Sequence, residues 1–217
     1  MINLSLLPQH SLVFDSITNE MFEKQFAVYD GFISPEYAFE LRSDILKKFE
    51  EGEFNKAKIG NLLNTQKNEQ IRTDFIHWYD MNTDEVIYQA LFAQLKEFGK
   101  WLNKFCYTNI NDIEIHSAIY PEGSFYKKHL DAFTLNNKRV FTFILYLNLD
   151  WQESSGGQLR IHQDEGQIDI APIQGRLVFF EASKVPHEVL VSNFDRISIT
   201  GWFRRDELIL DRGIFNS

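Results

Sequence analysis

The spacing of apolar positions changes character along this chain. Between residues 34 and 105 it is helical in two blocks, and from residue 113 it breaks into short runs separated by turn residues. Ser34-Pro35-Glu36 predicts a helix start, with Ser at the N-cap, Pro in the first turn and a carboxylate at the positive end. Tyr37, Leu41, Ile45 and Phe49 follow on one side, and Gly52 is placed to end the helix. Asn82-Thr83-Asp84-Glu85 has the spacing of a capping box. The helix it opens runs to about Phe105, with Val86, Ala90, Leu91, Leu95, Phe98, Leu102 and Phe105 on one side, as the main support of a sheet. Residues 11–33 predict a short helix and then a strand, with Phe26, Val28 and Phe32 inward, and residues 71–79 a further strand. From Glu53 to Gln70 the pattern dissolves into Lys, Asn, Gln and Gly, a long polar loop of the kind that serves as a lid or binding finger.

Eight strands are predicted next, at about 113–120, 124–131, 139–148, 158–163, 167–171, 176–181, 187–192 and 196–203. So many short strands after two helices indicate a mostly-β protein, a double-sheet jelly roll with helical buttresses. No internal repeat or linker divides the chain. It is expected to be a single domain, with a helical part at about 11–105 and a jelly-roll core at about 110–205. Residues 139–148 are apolar on both faces, with Val140, Phe141, Ile144 and Leu145, so one face meets helices and the other a pocket. In the last strand Arg196, Ser198, Thr200 and Trp202 share one face, and Ile197, Ile199 and Phe203 the other.

Composition narrows the partners. The 217 residues are 44% hydrophobic and 24% charged, and 20 are Phe, which suits a soluble protein with a thick aromatic core. A formal charge of -9 argues against nucleic acid or an anionic membrane as the main partner, and leaves a basic protein or peptide open. The lone Cys106 has no partner for a disulfide and is expected to be a buried small hydrophobe. The apolar run at the N-terminus is too short for a signal core, and no stretch approaches a spanning helix, so a cytoplasmic setting is expected.

The candidate chemistry centres on His129-Leu130-Asp131, on His187, and on Arg196 nine residues further. A histidine and a carboxylate two apart on a strand face the same way. A second histidine from a neighbouring strand completes two imidazoles and one carboxylate, the facial set of non-haem Fe(II) oxygenases. Zinc uses a similar set, but a zinc site does not call for an arginine fork that would grip a dicarboxylate beside the metal. Tyr146, in phase with Val140, Thr142 and Ile144, brings a phenol whose hydroxyl needs a partner, such as the far carboxylate of that ligand. His10, His77, His116 and His162 read as ordinary core or surface residues, although His116 shares its face with Ala118 and Tyr120. Ser154-Ser155-Gly156-Gly157 is a turn between strands and carries no phosphate-loop pattern.

Several stretches add to these: Ile71-Arg72-Thr73-Asp74 with Trp78, Tyr120-Pro121, and Tyr146 through Trp151. Others are Ser155-Gly156-Gly157-Gln158-Leu159-Arg160, Arg176 through Phe180, Pro186-His187-Glu188-Val189 and Arg196 through Trp202. Across about residues 26–205 the chain resembles the prolyl hydroxylase family of 2-oxoglutarate and iron oxygenases, most of all the oxygen-sensing protein prolyl hydroxylases and their bacterial counterparts. The resemblance implies a double-stranded β-helix of cupin type. It implies Fe(II) held by His129, Asp131 and His187, with 2-oxoglutarate and O2 as cosubstrates and ascorbate as a candidate reductant. By the same resemblance Arg196 and Tyr146 hold the distal carboxylate, with Thr200 assisting. Tyr120 lies near the metal-bound end of the cosubstrate, Trp202 forms the wall beside the target proline, and Arg72 and Asp74 engage the substrate. The implied reaction is 4-hydroxylation of a proline in a partner protein. The alternatives are hydroxylation of a free amino acid or small metabolite and, outside enzymes, a jelly-roll binding module.

Overall fold

A computed structural model describes residues 7–57, 70–132 and 138–206, with side chains from Ser11 onward. Helix α1 (Leu7–Lys24) leads into β1 (Phe26–Tyr29), α2 (Pro35–Glu50), the two-residue β2 (Asn55–Lys56) and β3 (Phe75–Tyr79). Helix α3 (Val86–Cys106) precedes β4 (Asp112–Tyr120), β5 (Tyr126–His129) and β6 (Arg139–Tyr146). After a short 3-10 turn at Glu153–Ser155 come β7 (Leu159–Gln163), β8 (Gly166–Ile170), β9 (Leu177–Glu181), β10 (His187–Val189) and β11 (Arg196–Arg204). All eight strands expected after residue 110 are present.

The strands form two antiparallel sheets, β1-β9-β6-β11-β4-β3-β2 and β5-β10-β7-β8. Together they make the expected jelly roll, and the N-terminal part contributes three strands, β1 to β3, to the larger sheet. The outer face of that sheet carries Ile115, Phe143, Leu145, Phe179, Ile199 and Phe203, and all three helices pack there. Its inner face carries Ala118, Tyr120, Ile144, Tyr146, Val178 and Phe180, packed against Leu159, Ile161 and Val189 of the small sheet. The apolar strand at 139–146 is thus split between two cores. Phe141, Phe143 and Leu145 meet helices, and Thr142, Ile144 and Tyr146 face between the sheets.

Local signals explain most of the helix ends, and one fails. Ser34 caps α2 by accepting from the Tyr37 N–H, and Gly52 stands just past its end at φ 81°. The capping box at Asn82–Glu85 does not form, because α3 starts at Val86 with no side-chain cap. Its residues have other partners: the Asn82 N–H donates to Asp80, the Glu85 N–H to Thr83 Oγ1, and the Glu85 carboxylate pairs with Lys48 at 2.8 Å. The buried face of α3 is Tyr88, Leu91, Phe92, Leu95, Phe98 and Leu102. Val86, Ala90 and Phe105, expected on that face, are exposed. Val86 is the first helical residue, beyond the sheet, and Phe105 lies on Trp101 at the surface. Cys106, expected to be buried, is only half-buried at the end of α3. Among the described residues, no helix is long and apolar enough to cross a membrane.

Gly201 shows how tightly the outer face is packed. The ring of Phe143 and the Glu114 carbonyl oxygen crowd its Cα, and a Cβ there would fall 2.5 Å from that oxygen. Backbone cannot retreat as a flexible side chain can. Gly201→Ala is therefore expected to cost about 1–3 kcal/mol as overpacking. A thermal melt should show a fall of several degrees, and an unchanged midpoint would mean that β11 and Phe143 are less closely apposed.

Candidate active site

His129 ends β5 and His187 begins β10, and the two are direct partners across the antiparallel ladder. Cross-strand partners project side chains to the same face, so register alone brings the imidazoles together, with ring centroids 4.3 Å apart. Nδ1 of His129 lies 2.8 Å from the Lys127 carbonyl oxygen, and Nδ1 of His187 lies 2.9 Å from that of Val185. A carbonyl oxygen only accepts, so each Nδ1 carries the proton and each Nε2 keeps a free lone pair.

Asp131 is not placed in the way the sequence predicts. Strand β5 stops at His129, so strand alternation does not set the carboxylate beside the imidazole. The chain is held by other means. The N–H groups of Asp131 and Ala132 both donate to the Ala182 carbonyl, at 3.1 and 3.2 Å, and Arg139 Nη1 donates to the Asp131 carbonyl at 3.3 Å. Thr142 Oγ1 donates to Asp131 Oδ2 at 2.7 Å. The outcome is a cluster in which one ligand atom each of His129, Asp131 and His187 lies within 4.8 Å of the others. His129 Nε2 is 3.5 Å from Oδ1, and His187 Nε2 is 3.7 Å from Oδ2.

The charge states suit a cation. Burial lowers the His187 pKa to about 4, against the pull of Asp131, so this imidazole is neutral and able to donate its lone pair. Burial would raise the Asp131 carboxyl, but the charge that His187 carries at low pH, with His129 and the Thr142 hydroxyl beside it, outweighs burial and holds the group well below the usual carboxylate range. Two imidazole nitrogens, one carboxylate oxygen and open positions fit a hard or borderline divalent ion such as Fe(II).

Register places a second feature further along the same inner face. Trp202 is level with Thr142 of β6, Thr200 with Ile144, and Ser198 with Tyr146, with Arg196 two residues beyond. Arg196 is 1% exposed and, among the described residues, has no carboxylate partner. Its Nε donates to the Gly157 carbonyl at 2.9 Å, and the guanidinium lies 4.9 Å from the ring centroids of both Tyr120 and Tyr146. Gly157, at φ 70°, allows this approach, since a Cβ there would meet the Arg196 side chain at 3.1 Å. Among the described residues the Tyr146 hydroxyl is buried without a hydrogen-bond partner, and burial pushes its pKa up, as it does for Tyr120. A buried cation and an orphaned hydroxyl at one end, with three metal-ligand types at the other, describe a site for an elongated acid.

Around this axis stand Tyr126 and Arg139, which the sequence reading did not single out, together with Arg72, Asp74, Trp78, His116 and Trp202, which it did. Tyr126 stacks on His129 at 3.6 Å, and the guanidinium of Arg72 covers Tyr126 from 4.3 Å. Arg72 Nε pairs with Asp74 Oδ1 at 2.8 Å, and Asp74 is buried beneath it. The two residues therefore brace the aromatic wall behind His129. Trp78, His116 and Trp202 form a stack, with His116 centroids 4.6 and 5.2 Å from the two indoles. Arg139 lies 3.4 Å over Trp202. His116, expected to be an ordinary residue, is part of this wall. Burial and the cations Arg72 and Arg139 take its pKa to about 3, so it is neutral. The polar loop predicted at 53–70 lies mostly outside the described residues, as does most of the segment after Asp131.

Comparisons with known proteins place the chain in a family. The family model of the 2OG-Fe(II) oxygenase superfamily matches residues 115–204. The chain is similar to a prolyl-4-hydroxylase from Pseudomonas putida of known crystal structure. The two are 33% identical with a TM-score of 0.80, and the match covers 89% of this chain and 100% of that one. A prolyl hydroxylase from Trichoplax adhaerens, solved with a hypoxia inducible factor oxygen degradation domain peptide fragment, shares the fold. Its TM-score is 0.83 at 24% identity, over 94% of each chain. The hypoxia-inducible factor prolyl hydroxylase of Caenorhabditis elegans is 28% identical over 211 residues, which cover 87% of this chain and 28% of that protein. The chain spans less than two thirds of the length of the curated relatives it matches.

Proposed function

Since this chain belongs to the 2OG-Fe(II) oxygenase superfamily, we propose that it is a 2-oxoglutarate- and Fe(II)-dependent dioxygenase that 4-hydroxylates a proline within a partner protein, in the cytoplasm. The observation that carries this reading is Arg196, a buried guanidinium with no acid partner among the described residues, on the same inner face as the His129–Asp131–His187 cluster. Burying an uncompensated charge costs several kcal/mol or so, and a dicarboxylate offsets it where a plain metal hydrolase would have nothing to place there.

His129, Asp131 and His187 would hold the iron, each imidazole through Nε2 with Nδ1 tied to a backbone carbonyl. Arg196 and Tyr146 would grip the distal carboxylate, Thr200 lies between the two ends, and Tyr120 flanks the cosubstrate. Bound there, the iron with 2-oxoglutarate and O2 supplies an oxidant that puts one oxygen atom into a C–H bond and the other into succinate, with loss of CO2. The chain's own part is placement and exclusion of water. Trp202, 7% exposed and stacked under Arg139, walls the position where a substrate ring would lie. Arg72 and Asp74 act on substrate through Tyr126, which they hold against His129.

A protein substrate is favoured over a free amino acid because the half-exposed Trp78 extends the aromatic wall outward past Trp202, where a longer chain can lie. The test is direct. Iron-loaded protein is given 2-oxoglutarate with capped proline-containing peptides in one arm and free L-proline in the other, and products are read by mass spectrometry. Hydroxyproline should appear in the peptides, with free proline a poor substrate. Efficient turnover of free proline would sink the protein-substrate reading in favour of a small-molecule hydroxylase.

A further inference from the structure

Thr142 is fully buried, and its hydroxyl donates its hydrogen bond to an atom of the metal-ligand cluster, Asp131 Oδ2, at 2.7 Å. We propose that Thr142 is a positioning residue that makes Asp131 a one-oxygen ligand: its hydroxyl reserves Oδ2 and leaves Oδ1 alone for the metal. The inference rests on the triad being a metal site and adds which side chain holds its carboxylate to one oxygen.

A carboxylate can grip a divalent ion through one oxygen or through both. Nothing in the two histidines decides between these modes, since Oδ1 lies 3.5 Å from His129 Nε2 and Oδ2 lies 3.7 Å from His187 Nε2. Both oxygens therefore face ligand atoms. What separates them is the hydroxyl, at a distance within the range of strong hydrogen bonds to an ionised acceptor. Thr142 is itself fixed, because its backbone is registered with Trp202 of β11 on one side and Phe180 of β9 on the other. Asp131 needs such a restraint, since it lies beyond the end of β5, and Arg139 from the same strand as Thr142 holds its carbonyl. An octahedral ion with three protein atoms keeps three positions for cosubstrate and O2. A two-oxygen grip by Asp131 would leave two.

The experiment uses Mn(II) as the probe with the whole chain, as wild type, Thr142→Val and Thr142→Ser. Crystal structures of the Mn(II) forms report how Asp131 binds, and calorimetry reports 2-oxoglutarate affinity of each Mn(II)-loaded protein. Melts without metal confirm that each variant is folded. Wild type and Thr142→Ser should show one Asp131 oxygen on the ion, with Oδ2 on the hydroxyl. Thr142→Val should bind through both oxygens, and its 2-oxoglutarate affinity should fall by about tenfold or more, in the range seen for outer-shell partners of metal ligands. Asp131 bound through both oxygens in wild type would overturn the proposal. So would a folded Thr142→Val that keeps one-oxygen binding and an affinity within about twofold of wild type, well short of that range. A wild-type protein that takes up no Mn(II) would overturn the metal site itself, and this inference with it, which separates the two failures.

Discussion

His187→Ala should abolish metal-dependent turnover of 2-oxoglutarate while leaving a folded protein. His187 is 3% exposed, neutral, and supplies a free Nε2 within 3.7 Å of Asp131. Outer-shell partners cost about 10–100-fold when lost, and loss of a direct ligand should exceed that. The fold has less at stake. The imidazole packs on Phe180 and bonds one backbone carbonyl, so removal should fall in the ordinary range of about 0.5–3 kcal/mol for a single substitution. Circular dichroism and a thermal melt separate folding from binding, Mn(II) titration measures the site, and succinate formation measures turnover. His162→Ala is the matched control. His162 lies in β7 of the same sheet, but it bonds Glu188 and is not in the cluster, so activity should persist. Turnover at the wild-type rate in His187→Ala would remove His187 from the metal site.

The parts of this protein legible in the sequence are those set by strong, short-range periodicity. Arg196, Ser198, Thr200 and Trp202 alternate with Ile197, Ile199 and Phe203, and the structure puts the first set toward the site and the second under the helices. Glycines and turn residues punctuate the eight strands closely enough to mark each of them. Legibility fails where position depends on partners distant in sequence. His129 and Asp131 are two apart, which suggests one strand face, but the strand ends at His129. The carboxylate is placed by Ala182, Arg139 and Thr142, whose pairing with Asp131 no local pattern encodes. The capping box at Asn82–Glu85 had the right letters, yet Lys48, from another helix, drew off Glu85. The phase of Thr142 with Tyr146 was visible, while its hydrogen bond was not. His116 looked like any strand histidine because the two indoles that sandwich it lie 38 and 86 residues away in the chain.

Arg196→Lys should weaken 2-oxoglutarate binding by about tenfold or more, from the ~1.5–3 kcal/mol typical of hydrogen bonds to charged groups. Lysine keeps the charge but not the planar fork, the bond from Nε to the Gly157 carbonyl, or the packing between Tyr120 and Tyr146. Mn(II) affinity without 2-oxoglutarate should not move, since Arg196 belongs to the other end of the site. Tyr146→Phe should lose less, by about 0.5–1.5 kcal/mol, the net worth of one ordinary hydrogen bond. Arg196→Met carries the reasoning further. A buried charge with no acid partner among the described residues weighs on the ligand-free fold, and a hydrophobe of similar length removes that desolvation cost. Arg196→Met should therefore melt at or above the wild-type temperature without ligand, bind no measurable 2-oxoglutarate, and gain nothing when 2-oxoglutarate is added. Wild type should gain with 2-oxoglutarate concentration, as any native-state ligand requires. Unchanged 2-oxoglutarate affinity in Arg196→Lys, or ligand stabilisation surviving in Arg196→Met, would place the dicarboxylate elsewhere and leave the buried guanidinium without its reason.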